Sequence, residues 1–322
     1  MEREADTFSN LLLDPCLYGK LIALPVAFAL IGLLAAPVLA TELKPGTASA
    51  FDRYVQVTEE HMAKDLHQGI FLRIDALPEA QQQDAYERLR RGEVIVEHIS
   101  TTENGRAIDA PHGLIHDWAG IVFIPGATLA QTVAFLQDYD NHASVYGSTI
   151  RRSKVLERDG DHFKVYVRSY SKQITTVVMD AILDDVYTDA GSSEVMSKSY
   201  STRITEVADA GEPTEHELPV GNDHGYVWRY YTYWHLRERD GGVYAQSESI
   251  ALSRAVPVAL TWLINPLVKS VPRGLVCSNL LATRNAILDA MIASNATHST
   301  PIRNSTSVSA ARPASLRAAL PR

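Results

Sequence analysis

Six consecutive segments between Lys154 and Leu252 alternate apolar and polar residues, and no helical pattern interrupts them. The tetrapeptide Glu-Arg-Asp-Gly occurs twice in this stretch, at 157–160 and at 238–241, each time between two alternating segments. Asp-Gly in that position is a strong signal for a β-hairpin, because both residues tolerate the positive φ angles of a tight turn. The sequence therefore predicts six antiparallel strands, with a polar loop from Ala208 to His224.

The flanking segments complete an α+β order of elements. Residues 113–126 (GLIHDWAGIVFIPG) are apolar on both faces and predict a long strand that ends at a Pro-Gly turn. Residues 127–147 carry apolar side chains at helical spacing and predict one or two short helices. After Arg254 the helical pattern returns, with one apolar stripe that includes Val276, Leu280, Thr283, Ile287 and Met291. We expect this stripe to pack on the concave face of the sheet.

Residues 41–110 predict an α-rich extension ahead of this main domain, which we assign to 111–292. Helical patterns occupy 51–66 and 77–93, and the run 94–101 (VIVEHIST) is typical of a short strand. So few residues form only a marginal core by themselves. We therefore expect the extension to pack on the main domain or to cap it.

The two ends of the chain have different compositions. Residues 21–40 lack charge and end in Val-Leu-Ala, which predicts an export signal (residues 1–40) cleaved after Ala40. The segment is also long enough to span a bilayer, and acidic residues precede it, so an uncleaved anchor at 21–40 is the alternative. Residues 293–322 are rich in Ser, Thr, Ala and Pro and predict a disordered tail. We expect a periplasmic or secreted protein, or one anchored near the membrane.

Composition excludes several function classes. The 30 Lys and Arg residues against 38 Asp and Glu give a net charge of −8, which disfavours nucleic acid as a partner. Two cysteines exclude a disulfide-rich scaffold and a Cys-based zinc cluster. His112 and His116 fall in a predicted strand, where their spacing places them about 13 Å apart. The sequence also lacks the nucleophile-elbow, zinc-protease, P-loop and dinucleotide motifs, an absence that by itself does not exclude an enzyme. We predict no catalytic residue, metal or cofactor.

The order of one strand, two short helices, six antiparallel strands and a long C-terminal helix resembles the helix-grip fold of the START-like (SRPBCC) superfamily. That superfamily includes lipid-transfer START domains, pollen-allergen-type ligand carriers, polyketide cyclases and coenzyme Q-binding proteins. The resemblance covers about 180 residues from Pro111 to Met291, and four segments look like a bacterial exported branch of the superfamily. The segments are 113–126 (GLIHDWAGIVFIPG), 137–142 (QDYDNH), 223–229 (DHGYVWR) and 249–273 (SIALSRAVPVALTWLINPLVKSVPR). The resemblance implies a helix-grip fold, with a seven-stranded antiparallel sheet wrapped around the C-terminal helix and an apolar cavity between them.

A ligand cavity of this kind is largely apolar, with a few polar groups that orient the ligand. Period-two alternation places Trp228, Tyr230 and Trp234 on one face of the penultimate strand, and we predict that this face points inward. Glu248 and Arg229 are candidates to orient a polar ligand end, with Arg168, Arg203 or Arg229 as possible partners of Glu248. Further predicted lining residues are Trp118, Met179, Met196, Tyr200 and Leu263.

The most direct prediction is a non-enzymatic carrier that holds a lipid or another hydrophobic small molecule. Two alternatives stand beside it. A cyclase or hydrolase would bring two or three polar side chains together in the same cavity. A structural or partner-binding envelope protein would fill the cavity with its own side chains and expose an apolar patch elsewhere.

Overall fold

The structure is a computed structural model that describes residues 41–172, 176–255 and 261–298. Side chains are described throughout these ranges except at Thr41, 261–270 and 295–298. The predicted export signal at 1–40 therefore lies outside the described residues, as does most of the predicted tail.

Five α-helices and thirteen strands make up the described fold, with short 3₁₀ turns at Arg73–Ala76 and Tyr139–Asn141. The helices are α1 (Pro45–His67), α2 (Glu79–Arg90), α3 (Leu129–Gln137), α4 (His142–Val145) and α5 (Thr261–His298). The long strands are β5 (Gly113–Pro125), β6 (Ile150–Asp159), β7 (His162–Lys172), β8 (Thr176–Gly191), β9 (Glu194–Ala208), β12 (Arg229–Arg239) and β13 (Gly242–Arg254). The short strands are β1 (Thr41–Glu42), β2 (Ile95–His98), β3 (Thr102–Glu103), β4 (Arg106–Ala107), β10 (His216–Glu217) and β11 (Asn222–Asp223).

One antiparallel sheet holds all the long strands in the order β2-β5-β13-β12-β9-β8-β7-β6, and β10 pairs with β9. Both predicted Asp-Gly hairpins are present, between β6 and β7 and between β12 and β13. Asp240 and Gly241 have φ angles of 57° and 74°, as a tight two-residue turn requires. The predicted strand 113–126 joins the sheet next to the last strand, β13, rather than next to the strand that follows it in sequence.

Helix α5 packs against one face of the sheet, which we call the concave face. Val276, Leu280 and Ile287 join a buried cluster with Val122 and Ile124 of β5. Gly120 lies where helix and strand come closest, because a Cβ atom there would lie 2.7 Å from Leu280 Cδ1. The helix thus lies on the sheet through the apolar stripe predicted from the sequence.

The opposite, outer face of the sheet is covered by the N-terminal extension. Phe51, Tyr54 and Val55 of α1 pack against a group of outer-face residues: Trp228, Tyr233, Ile250 and Leu252. The segment from Phe71 through α2 packs against a second group, Ile121, Phe123 and Tyr244. The extension therefore shares the core of the main domain, and the sheet has a packed layer on each side.

The helix-grip expectation is confirmed, but the sheet has nine strands rather than seven. The two additional strands are β2, which the sequence placed in the extension, and β10, which lies in the predicted polar loop. Helix α5 also continues past the predicted boundary at residue 292 as far as His298. By length and composition alone, its segment Val271–Ser294 is the one helical stretch in the described ranges that would suffice to cross a membrane.

Candidate functional site

The concave face next to α5 contains four of the predicted lining residues. Trp118 is 8% exposed and belongs to the buried cluster beneath α5, and the half-buried Trp234 packs against that cluster. Tyr230 lies on the same face of β12 and its hydroxyl is 3.2 Å from Ser249 Oγ. Met179 pairs with Ser169 on the face that also carries Val165 and Val167.

Five predicted site residues are not on this face; the structure places them on the outer face, which corrects the inward placement predicted for Trp228 and Glu248. Met196 packs with the outer-face group around Phe71, and Tyr200 donates a hydrogen bond to Glu59 of α1. Arg229 pairs with the outer-face residue Leu252. Glu248 also points outward, where Arg73 is its ion-pair partner rather than any of the three arginines predicted. Leu263 lies among the α5 residues whose side chains are not described.

Trp228 is the fifth of these residues, and a local break in alternation moves it to the outer face. The strand β12 begins only at Arg229, so period two does not extend to Trp228. Its indole N–H donates to Asp223 Oδ1 at 3.0 Å, and the backbone N–H of Gly225 donates to the same oxygen. Gly225 has a φ of 71°, which turns the chain immediately before the strand. The ring therefore packs with Phe51 and Tyr54 of α1.

A band of hydroxyl groups crosses the concave face. In one row Ser199, Thr232 and Ser249 are paired across β9, β12 and β13, and Ser249 is paired with Trp118 of β5. In the neighbouring row Ser197 and Ser247 flank Trp234. Paired residues of antiparallel strands point to the same side of the sheet, so these hydroxyls share the face that carries the two tryptophans.

Asp185 of β8 extends this band toward β7. It pairs with Ser199 on one side and with Phe163 on the other, and it is 3% exposed. Burial raises its pKa to about 6, although hydrogen bonding to Ser199 and Tyr139 opposes that shift. Its Oδ1 atom has no hydrogen-bond partner among the described residues. Beside it, the hydroxyl groups of Tyr139 and Tyr187 lie 3.1 Å apart.

The hydroxyl band and Asp185 were not predicted, yet the sequence carries a signal for Asp185. Asp184 and Asp185 are consecutive in a strand, so one of the two must point to the covered face. Serines at alternate positions of β9 carry a weaker signal, because serine is equally common on exposed faces. Hydroxyl groups can both donate and accept hydrogen bonds, and an ionised carboxyl group accepts them. No cluster of three or more His, Cys, Asp and Glu side chains suited to a metal ion is found in the described ranges.

Comparisons with known proteins give matches among solved structures. No protein-family model matches the chain, and no curated protein matches it. The STAR-related lipid transfer protein (fragment 25–204) from Xanthomonas axonopodis is 16% identical, with a TM-score of 0.39 over 59% of this chain and 98% of that one. Human STARD10 is 11% identical, with a TM-score of 0.41 over 69% and 85%. The Zhui aromatase/cyclase from a Streptomyces species is 13% identical, with a TM-score of 0.38 over 56% and 98%.

The order of elements decides the fold. Strand β5, the short helices α3 and α4, the strand run from β6 to β13 and the gripped helix α5 follow each other as the resemblance implied. The fold is a helix-grip fold. In this domain the concave face is the surface between the sheet and the last helix, and it combines two tryptophans, a hydroxyl band and one buried carboxyl group.

Proposed function

We propose that this protein binds a lipid or another hydrophobic small molecule on the concave face of its sheet. The observation that carries the proposal is the placement of the hydroxyl band directly beside Trp118 and Trp234. An amphipathic molecule needs both surfaces, because its apolar part gains about 25 cal/mol per Å² removed from water. Its polar end then requires hydrogen-bond partners in place of the water that it loses.

The polar end of such a ligand would lie along the rows that contain Ser199, Thr232 and Ser249. Hydroxyl groups both donate and accept hydrogen bonds, so this surface suits alcohol, ester and carbonyl groups. The unpartnered Oδ1 atom of Asp185 adds an acceptor at the β8 end of the band. The surface thus favours an uncharged polar group, and it offers no cation for a phosphate among the paired residues of these rows.

A matched pair of tryptophan variants tests the proposal. Trp234→Ala removes an aromatic side chain from the concave face, whereas Trp228→Ala removes one from the outer face. We would purify both variants and the parent protein, identify co-purified molecules by native mass spectrometry, and titrate the proteins with anilinonaphthalene sulfonate. We expect Trp234→Ala to weaken binding about tenfold and Trp228→Ala to leave the affinity within twofold.

Two results would contradict the proposal. One is a protein that carries no small molecule and binds neither the probe nor a panel of fatty acids, sterols and quinones. The other is equal loss of binding in both variants while far-UV circular dichroism remains that of the parent protein. Loss in Trp228→Ala alone would place the ligand under α1 and overturn the assignment to the concave face.

An enzymatic role is a second candidate, and the grouping of Asp185, Tyr139 and Tyr187 favours it. A carboxyl group with a pKa of about 6 can exchange protons near neutral pH, which is the requirement for general acid–base catalysis. We would measure the hydrolysis of p-nitrophenyl esters of graded chain length. For an enzyme we expect Asp185→Asn to lower the rate at least a hundredfold. A rate equal to buffer in the parent protein would contradict the hydrolase role.

We also propose export, on the uncharged segment 21–40 and the small residues before position 41. Expression of the full chain in a bacterium, followed by fractionation and intact-mass measurement, tests this proposal. A periplasmic product that begins at Thr41 is the expected result. An uncleaved product in the membrane fraction would indicate an anchor, and an uncleaved product in the cytoplasm would refute export.

A further inference from the structure

Two clefts lie on the outer face, between the N-terminal extension and the sheet. The larger has a volume of about 620 Å³ and is bounded by α2, β2 and β5. The smaller, of about 370 Å³, lies between α1 and the segment Ile99–Thr102. Arg73 lines both clefts, and Glu248 of β13 lines the smaller one. Both clefts are on the side of the sheet opposite to α5.

Glu248 and Asp117 are buried carboxyl groups with unmet hydrogen-bonding capacity. Each is 1% exposed, and they are diagonal neighbours on β13 and β5, since Glu248 pairs with Ala119. Both oxygens of Glu248 and the Oδ1 atom of Asp117 have no hydrogen-bond partner in the described part of the chain. The other Asp117 oxygen accepts from the Tyr54 hydroxyl at 2.8 Å. Buried acceptors without donors are costly, so the two Glu248 oxygens, which belong to the lining of the smaller cleft, require an explanation, as does the Asp117 oxygen on the neighbouring strand.

Arg73 does not supply the hydrogen bonds that the Glu248 oxygens lack. Its Nη1 atom is 3.7 Å from Glu248 Oε2, which is beyond hydrogen-bonding distance. Its Nε–H donates instead to Glu97 at 2.7 Å, and its backbone N–H donates to Gln246. Glu248, Glu97 and Asp117 surround the single guanidinium group of Arg73. When all three carboxyl groups are ionised, the floor of the cleft carries excess negative charge. Burial raises the pKa of Asp117 well above its usual range, and repulsion by Glu248 adds to that rise. Burial also raises the pKa of Glu248 to about 7, although the charge of Arg73 opposes the shift.

From this geometry we infer a second binding site, in which the smaller outer-face cleft binds a small organic molecule through a primary ammonium group placed against Glu248. An ammonium group carries three N–H donors and one positive charge, so it supplies both the hydrogen bonds and the charge that the cleft floor lacks. Exposed His61 and Lys64 lie at the rim, so a ligand can enter between α1 and the Ile99–Thr102 segment.

The chemistry of the lining favours an ammonium over other ligands. An anion would meet Glu248 directly, at a position where Arg73 is already paired with Glu97. A quaternary ammonium has the charge but no N–H donors, so it would leave the Glu248 oxygens unpartnered. The lining is mainly polar, with Thr58, Ser100, Thr101 and Thr102 beside the charged groups, and it suits a short diamine or an amino alcohol rather than a lipid tail.

Isothermal titration with three probes tests the site: 1,4-diaminobutane, tetramethylammonium and succinate. The purified protein is compared with Glu248→Gln and with Glu59→Gln as the matched control. Glu59 lies on α1 and contacts the outer face through the hydroxyl of Tyr233, but it lines neither cleft. We expect diaminobutane alone to bind, with an affinity at least tenfold lower in Glu248→Gln and unchanged within twofold in Glu59→Gln.

A second readout separates site-specific binding from general attraction to an acidic protein. Because Glu248 binds a proton near neutrality in the free protein, diaminobutane binding should release protons at pH 6.5. Titrations in buffers of different ionisation enthalpy measure that release, and Glu248→Gln should abolish it. Equal binding of tetramethylammonium, preferential binding of succinate, or diaminobutane binding that Glu248→Gln leaves unchanged would each overturn the inference. These results do not depend on the concave face, so they are independent of the carrier proposal.

Discussion

Asp185 lies on the concave face with 3% of its surface exposed, where burial favours the neutral carboxyl group over the carboxylate. A raised pKa in the folded state means that the folded protein holds its proton to a higher pH than the unfolded chain does. The folded state therefore loses stability as the pH rises from about 4 to about 6, and the loss persists above that range. Groups with a perturbed pKa are concentrated at functional sites, which makes Asp185 a candidate site residue.

Asp185→Asn should therefore stabilise the protein at pH 7 by ~3 kcal/mol, because the shift of about two pKa units corresponds to ~1.4 kcal/mol each. The gain should vanish at pH 4, where Asp185 is protonated in both states. Urea denaturation at pH 4, 5.5 and 7 measures the difference between variant and parent protein. Asp184→Asn, on the opposite face of the same strand, is the control and should change stability by less than 0.5 kcal/mol. A variant less stable than the parent at pH 7 would refute the electrostatic argument.

At the scale of elements, the packing of α5 on the sheet depends on one close contact between α5 and β5. A Cβ atom at Gly120 would lie 2.7 Å from Leu280 Cδ1 and 2.8 Å from Val276 Cγ1. These atoms belong to side chains at the centre of the buried cluster, which leaves them little room to shift. The absence of a side chain at Gly120 thus sets the distance between helix and strand.

Gly120→Ala should cost 1–3 kcal/mol of unfolding free energy, within the range for overpacked cores. The control is Gly46→Ala near the start of α1, where no heavy atom lies within 4 Å of the added Cβ and helix propensity favours alanine. Thermal unfolding followed by circular dichroism compares the two. If Gly120→Ala is as stable as the parent, α5 is not held as tightly against β5 as the contacts indicate.

Most elements could be predicted from the sequence, because alternation, Asp-Gly turns and helical spacing are local signals. The side of each strand that points toward α5 could not be predicted, and β12 shows why. Its concave side carries Trp234 and Leu236, whereas its outer side carries Tyr231, Tyr233 and His235 beneath the extension. Alternation separates the residues of the two sides, but it does not show which side faces α5 when both sides are covered. Placing Met196, Tyr200 and Glu248 correctly required knowledge of where α1 and α2 pack.

At the scale of the whole molecule, the extension and the sheet form one structural unit. Phe51, Leu72 and Leu89 are fully buried against the sheet or beside it. Arg237 of β12 also donates to Asp75 of the 3₁₀ turn at 2.7 Å, so polar contacts join the two layers as well. Removal of the extension would expose two apolar clusters on the outer face.

We therefore expect a single cooperative unfolding transition for the extension and the sheet together. Far-UV circular dichroism reports the helices, tryptophan fluorescence reports both faces, and the two signals should share one urea midpoint. An early loss of helical signal with unchanged fluorescence would show that the extension unfolds separately. Hydrogen exchange provides the residue-level check, because amides of α1 and β13 should exchange at similar rates.

The main sheet ends in β6 on one side, and the properties of this edge strand affect whether two copies of the chain can pair their sheets. An unpaired edge strand is a template for intermolecular β-pairing and aggregation. β6 carries four positive charges, at Arg151, Arg152, Lys154 and Arg158, against two negative charges, and two register shifts interrupt its pairing with β7. The opposite edge, β2, is only four residues long. Both edges of the sheet, as far as the described residues form it, thus disfavour β-pairing between copies of the chain.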